Sequence, residues 1–155
     1  MADTPKIKLK PSSPGEKIMF KVKNTIYSMP TQAALKKITG STGFKDMNLS
    51  FSLTALRIEY ERGKKTVDEE QKKILLKYCD KKKDNKDEPD LTSKGEYKFT
   101  MQNGVKVQDE IKKLYEITET VLNVDKLTIK LDQIPAGLLS ADDMYYLKDL
   151  INIER

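Results

Sequence analysis

GFKDMNLSFSLTALRIEYERGKKTVDEEQKKILLKYCD, residues Gly43 to Asp80, is the stretch from which the rest of the chain takes its meaning. Leu49, Leu53, Leu56, Tyr60, Gly63, Val67 and Ile74 follow one another on alternating steps of four and three, passing over Glu70. Such steps place one narrow apolar seam along a helix. Carried as far as Tyr78, that helix runs to roughly 45 Å at 1.5 Å per residue. A rival division exists, because Gly63 suits a helix end and Thr66 with Glu69 has the spacing of a capping box. The seam crosses that gap and favours one helix from about 46 to 79, though spacing alone leaves a break near Gly63 open. A single stripe of this kind ordinarily turns toward the protein's own core.

Around the seam lie shorter patterns. Residues 1–16 hold Pro5, Pro11 and Pro14 with Ser12, Ser13 and Gly15, which predicts a flexible arm. Lys6, Lys8 and Lys10 make it basic and are candidate contacts for an acidic partner. Ile18 to Val22 alternates as a half-buried strand. Met29 to Ile38 predicts a short helix, with Pro30 suited to its first turn and Gly40 as its stop. Asp80 to Gly95 predicts a mobile charged loop at 80–95. Its run Lys81, Lys82 and Lys83 is a second candidate contact, and Tyr60 on the seam a third. The acids of this loop do not fit a calcium-binding template, since Lys86 stands where a second oxygen ligand belongs.

Glu96 to Gln108 suggests a hairpin closed by Gln102, Asn103 and Gly104. That register pairs Met101 with Val105 and Phe99 with Val107, and gives Gly104 a left-handed position. Asp109 to Leu122 returns to helical spacing through Ile111, Leu114, Tyr115, Thr118, Val121 and Leu122. Leu127, Ile129 and Leu131 alternate as a strand. Ser140 caps a closing helix with Asp143 at its third position, and Met144, Leu147, Leu150 and Ile151 make its buried stripe. The expected fold is α+β and helix-dominated, one long helix packed with shorter helices and a small sheet or hairpin. Residues 17–155 read as a single domain.

Composition narrows the function. The chain of 155 residues is 37% hydrophobic and 34% charged, enough for one modest core under a charged surface. It contains no histidine and one cysteine, Cys79. That removes Ser-His-Asp and Cys-His nucleophile pairs, the usual general base near neutral pH, and most zinc ligand sets. Neither a phosphate-cradling glycine loop nor a nucleophile elbow occurs, because Gly40-Ser41-Thr42-Gly43 lacks the lysine of a P-loop. Asp142 and Asp143 form a carboxylate pair whose place in a first helical turn is explained by the helix dipole. No catalytic, cofactor-binding or metal-binding residues are therefore assigned, and an enzyme is not expected. The net charge of +5 invites nucleic acid. Against it stand the interleaving of lysines with acids and an arginine set of only Arg57, Arg62 and Arg155. Arginine is the usual reader of phosphates and base edges. Nucleic acid is thus the second choice of partner, after protein.

Three segments together resemble small proteins of tailed bacteriophages with no assigned function. They are FKVKNTIYSMPTQAALKKI (residues 20–38), KKILLKYCDKK (72–82) and LTIKLDQIPAGLLSADDMYYLKDLINIE (127–154). The resemblance lies in pattern and order, across much of Lys17 to Glu154. It implies a phage-encoded accessory protein with no catalytic residues to carry over. The expected function is protein–protein interaction in the cytoplasm of an infected bacterial host, inhibiting or redirecting a host factor. A virion or assembly component that self-associates through the long helix is the alternative. No membrane partner is expected, since no apolar run nears the ~20 residues a bilayer requires.

Overall fold

The computed structural model describes residues 19–155. The basic arm, with Lys6, Lys8 and Lys10, and the beginning of the first predicted strand lie outside the described residues. The architecture is α+β and dominated by helix. In chain order, β1 (Phe20–Lys23) leads through a 3-10 turn into α1 (Met29–Thr39) and the long helix α2 (Met47–Tyr78). There follow α3 (Met101–Glu116), β2 (Glu119–Leu122), β3 (Leu127–Lys130), α4 (Ala141–Leu147) and β4 (Ile151–Glu154). Two sheets of two strands form, β1 with β2 and β3 with β4. None of the helices among the described residues is long and apolar enough to cross a membrane.

α2 is continuous through Gly63 and spans 32 residues. The described chain divides into two compact units, and α2 contributes to both: residues 19–22, Ile26–Gly63 and Thr120–Arg155 form the first, Lys23–Thr25 and Lys64–Glu119 the second.

In the first unit the seam of α2 is core. Leu49, Leu53, Leu56 and Tyr60 are buried, as are Ile38 of α1, Leu122 of β2, Ile129 of β3, and Leu147 and Leu150. Gly63 continues the line for a reason the structure supplies. A Cβ at this position would stand 2.1 Å from the Tyr27 hydroxyl and 2.9 Å from Cγ2 of Thr120. Glycine therefore lets the tyrosine seat on the helix, and the helix absorbs the propensity cost of about 1 kcal/mol. The Tyr27 ring packs on that of Tyr60 at 4.9 Å, and the Tyr60 hydroxyl donates to the Ile26 carbonyl at 2.7 Å. Burial pushes the Tyr60 phenol well above its ordinary range.

The C-terminal part of this unit differs from the sequence expectation. The closing helix stops at Leu147, and Ile151 belongs to β4, which runs parallel to β3 with Leu127 opposite Ile151 and Ile129 opposite Ile153. Residues 127–154 are thus a strand, a helical crossover and a parallel strand. The stripe reading failed because Leu147, Leu150 and Ile151 are buried alike. Burial cannot distinguish a helix end from the start of a strand, whereas the alternation of Ile151, Asn152 and Ile153 can. α4 packs against α1.

In the second unit α3 runs antiparallel to the C-terminal half of α2. The Tyr115 hydroxyl donates to Gln71 at 2.6 Å, Lys77 pairs with Glu110 at 3.7 Å, and the Asn103 amide donates to the Tyr78 carbonyl at 3.1 Å. The predicted hairpin over Glu96 to Gln108 is corrected here. Thr100 is the N-cap of α3, its hydroxyl accepting from Asn103 N–H at 3.1 Å. Asn103 and Gly104 lie in the first helical turn, and neither is left-handed. Three-residue hairpin chemistry and a capped helix start share the same residues, and the steps from Val107 through Ile111 to Leu114 decide for helix. The predicted helix over Asp109 to Leu122 is displaced toward the N-terminus, beginning at Met101 and ending at Glu116. Thr120 and Val121, both β-branched, continue as β2.

The charged segment after α2 holds backbone pairings of its own. Lys81 bridges Pro89 and Leu91 bridges Tyr97. Asp80 N–H donates to Lys98 O and Asp90 N–H to Asp80 O, each at 2.8 Å. Gly95 takes a positive φ of 80° to close the second turn, a conformation glycine adopts without steric cost.

Candidate binding faces

Of the residues singled out in the sequence, Tyr60 and Lys81 to Lys83 lie among the described ones. Tyr60 is 4% exposed and bonded to Ile26, so a partner contact through it is corrected to a core role. Lys81 folds back onto the end of α2, donating to the Leu76 carbonyl and reaching within 3.3 Å of Cys79 Sγ. Positive charge there complements the helix dipole. Lys82 pairs with Glu88 at 2.9 Å. Of that run, Lys83 alone makes no ion pair or hydrogen bond among the described residues and stays exposed. Of the three lysines, Lys82 is the one paired with an acid of its own turn.

A feature that sequence reading passed over lies on the other side of α2. Met47, Phe51 and Ile58 are 65%, 69% and 55% exposed. At 100° per residue, Met47, Phe51, Thr54 and Ile58 fall within about 60° of one another, on the face opposite the buried seam. Thr54 turns its hydroxyl back to the Ser50 carbonyl at 3.0 Å, which satisfies the oxygen within the helix and leaves the methyl to the stripe. Polar neighbours flank the row: Arg57 pairs with Glu61 at 3.1 Å and Arg62 with Glu59 at 2.9 Å. Glu59 also accepts from Asn123 N–H at 2.9 Å, while Arg62 donates to the Val121 carbonyl at 2.8 Å. The Arg62 contact holds the Glu59 carboxyl below its ordinary range. The signal for this face was present in the spacing, but the stronger leucine phase of the same helix masked it.

A groove of about 820 Å³ opens near the start of α2, lined by Leu49, Ile134, Leu139 and Met144 with Lys45, Asp46 and Asp132. The Asp46 carboxylate accepts from Asn48 N–H at 2.9 Å, and so serves the helix start. The lining mixes both charges with apolar walls. Among the described residues no cluster of acids, histidines and cysteines is placed to hold a metal.

Charge is used structurally on the α1 and α4 side. Asp143 accepts from Lys37 at 2.8 Å and from Ser140 N–H at 2.9 Å, and Ser140 Oγ accepts from Asp143 N–H at 3.1 Å. The Lys37 ammonium first, then the Ser140 amide, hold the Asp143 carboxyl below its ordinary 3.8. The stability this carboxylate supplies is fully present above pH 3.8 and is lost as the pH falls through the depressed folded value. Chemical denaturation of the protein and of Asp143→Asn should thus differ by a constant amount near neutrality, and the difference should narrow in acid. A difference that holds unchanged at the lowest pH contradicts this assignment.

No family model, no curated protein and no solved structure matches the chain.

Proposed function

We propose that this protein acts by binding other proteins, as an accessory protein of a tailed bacteriophage in the cytoplasm of the infected cell, and that the outward face of α2 is its contact surface. The observation that carries the reading is the row of Met47, Phe51 and Ile58, three large apolar side chains more than half exposed on one helix face. Apolar surface released from water contributes about 25 cal/mol per Å². In-line anchors on a helix are a recurring form of protein recognition. The phage setting rests on the sequence resemblance over residues 20–38, 72–82 and 127–154. Inhibition or redirection of a host factor is the role such a setting favours. Nucleic acid is the weaker reading, since Lys81 is turned onto the end of α2 and Lys82 pairs with Glu88.

A photo-crosslinking amino acid in place of Phe51, introduced in living bacteria, tests this. A discrete protein adduct is expected at that position and not when the same group replaces Met101, which is 89% exposed on α3. Absence of any adduct at position 51, or the same adducts at both positions, would overturn the reading.

A further inference from the structure

We infer that the groove at the start of α2 receives the chain's own residues 6–10, laid into it as an extended segment. This is independent of the outward face of α2. The groove lies within the first unit, between the start of α2 and the segment that joins β3 to α4. Its apolar wall is Leu49, Ile134, Leu139 and Met144, and its charged lining is Asp46, Asp132 and Lys45. The Asp132 side chain is exposed and has no partner among the described residues. Its volume of about 820 Å³ falls in the range of pockets that enclose an organic ligand. Two carboxylates against one ammonium give the lining a charge of −1, in a chain that carries +5. Such a groove suits an occupant in which apolar and cationic side chains alternate.

Residues 5–11, PKIKLKP, have that chemistry: three lysines, no acid, and Ile7 and Leu9 between the lysines. In an extended segment successive side chains point to opposite sides. Ile7 and Leu9 then face the apolar wall together, and the long lysine stems can bend back to Asp46 and Asp132. Lys10 precedes Pro11, and a residue before proline favours extended backbone, which lowers the cost of ordering the segment.

The tether is long enough. Asn123 N–H donates to Glu59 and Arg62 to the Val121 carbonyl, so the end of β2 lies beside residues 59–62 of α2. Leu49 stands ten residues before Glu59, about 15 Å along the helix axis. β1 pairs with β2, and each strand has four residues, which span about 13 Å. Phe20 is therefore within about 30 Å of the groove, while the eleven steps from Leu9 to Phe20 extend to about 36 Å. A tether of this length holds the segment at an effective concentration in the millimolar range. A weak contact thus suffices to fill the groove, and any other ligand must displace the arm first.

A nitroxide on Ser12→Cys in the full chain tests the inference, the native Cys79 being buried. The methyl resonances of Leu139 and Met144 should broaden. Ile7→Ser with Leu9→Ser should abolish that broadening, and Asp132→Lys should reduce it about threefold, the scale of an exposed charge contact. An isotope-enriched chain without nitroxide, mixed with labelled chain of natural abundance, should show none. Absence of broadening in the labelled chain overturns the inference. So does broadening that survives either set of substitutions undiminished, because proximity along the tether would then account for it. Broadening in the mixture as strong as in the labelled chain assigns the groove to the arm of a second copy, and overturns docking within one chain.

Discussion

Leu53→Ala is expected to lower the unfolding free energy by about 2–5 kcal/mol, while Phe51→Ala, two positions away on the same helix, changes it by under about 0.5 kcal/mol. Leu53 is 2% exposed among buried neighbours and Phe51 is 69% exposed. Truncating the leucine removes its transfer free energy and leaves a cavity that close packing fills only in part. Truncating the phenylalanine empties no cavity in the monomer. Denaturant midpoints measured on dilute protein give the comparison. Equal losses at the two positions would mean that the phase of α2 has been misassigned.

Gly63→Ala is the second large effect. Alanine is ordinarily the better helix former by about 1 kcal/mol, so an unpacked glycine would be improved by the change. Here the new methyl meets the Tyr27 hydroxyl at 2.1 Å, and Tyr27 is buried and held against the Tyr60 ring. Relief requires the ring to shift, and overpacking of this kind costs about 1–3 kcal/mol. The expected result is net destabilisation. It should shrink by at least about 1 kcal/mol in a Tyr27→Phe background, where the clashing oxygen is gone and the ring carbon behind it lies at 3.3 Å from the methyl. A double-mutant cycle isolates that coupling. Additivity of the two substitutions would place the strain elsewhere.

Gly63 also shows what spacing can and cannot reveal. The seam from Leu49 to Val67 was legible because one period persists over five turns, and persistence outweighs a single glycine. That the glycine seats a tyrosine from a segment more than thirty residues earlier is a tertiary fact with no local trace. The same limit explains Thr100 to Gln108. Asn103-Gly104 carries strong turn chemistry, and only the packing of Val107 and Leu114 turns the balance toward helix. Ile151 to Glu154 escaped because a four-residue strand after a short helix prolongs its apolar pattern without a break. Ser140 with Asp143 was legible, since a capping box is built from neighbours in sequence. The candidate face was half legible. Met47, Phe51 and Ile58 are ordinary apolar residues on the page, and become a face only when the leucine phase has been given to the core.

Cys79 has a consequence for kinetics. It is the chain's sole thiol, buried at the C-terminal end of α2 where the Lys81 ammonium lies against its sulfur. Thiol reagents reach a buried sulfur only during transient openings of the surrounding structure. Its rate of alkylation in native buffer is therefore a clock for local breathing of the second unit. The clock is read from a single atom, without any label added to the chain.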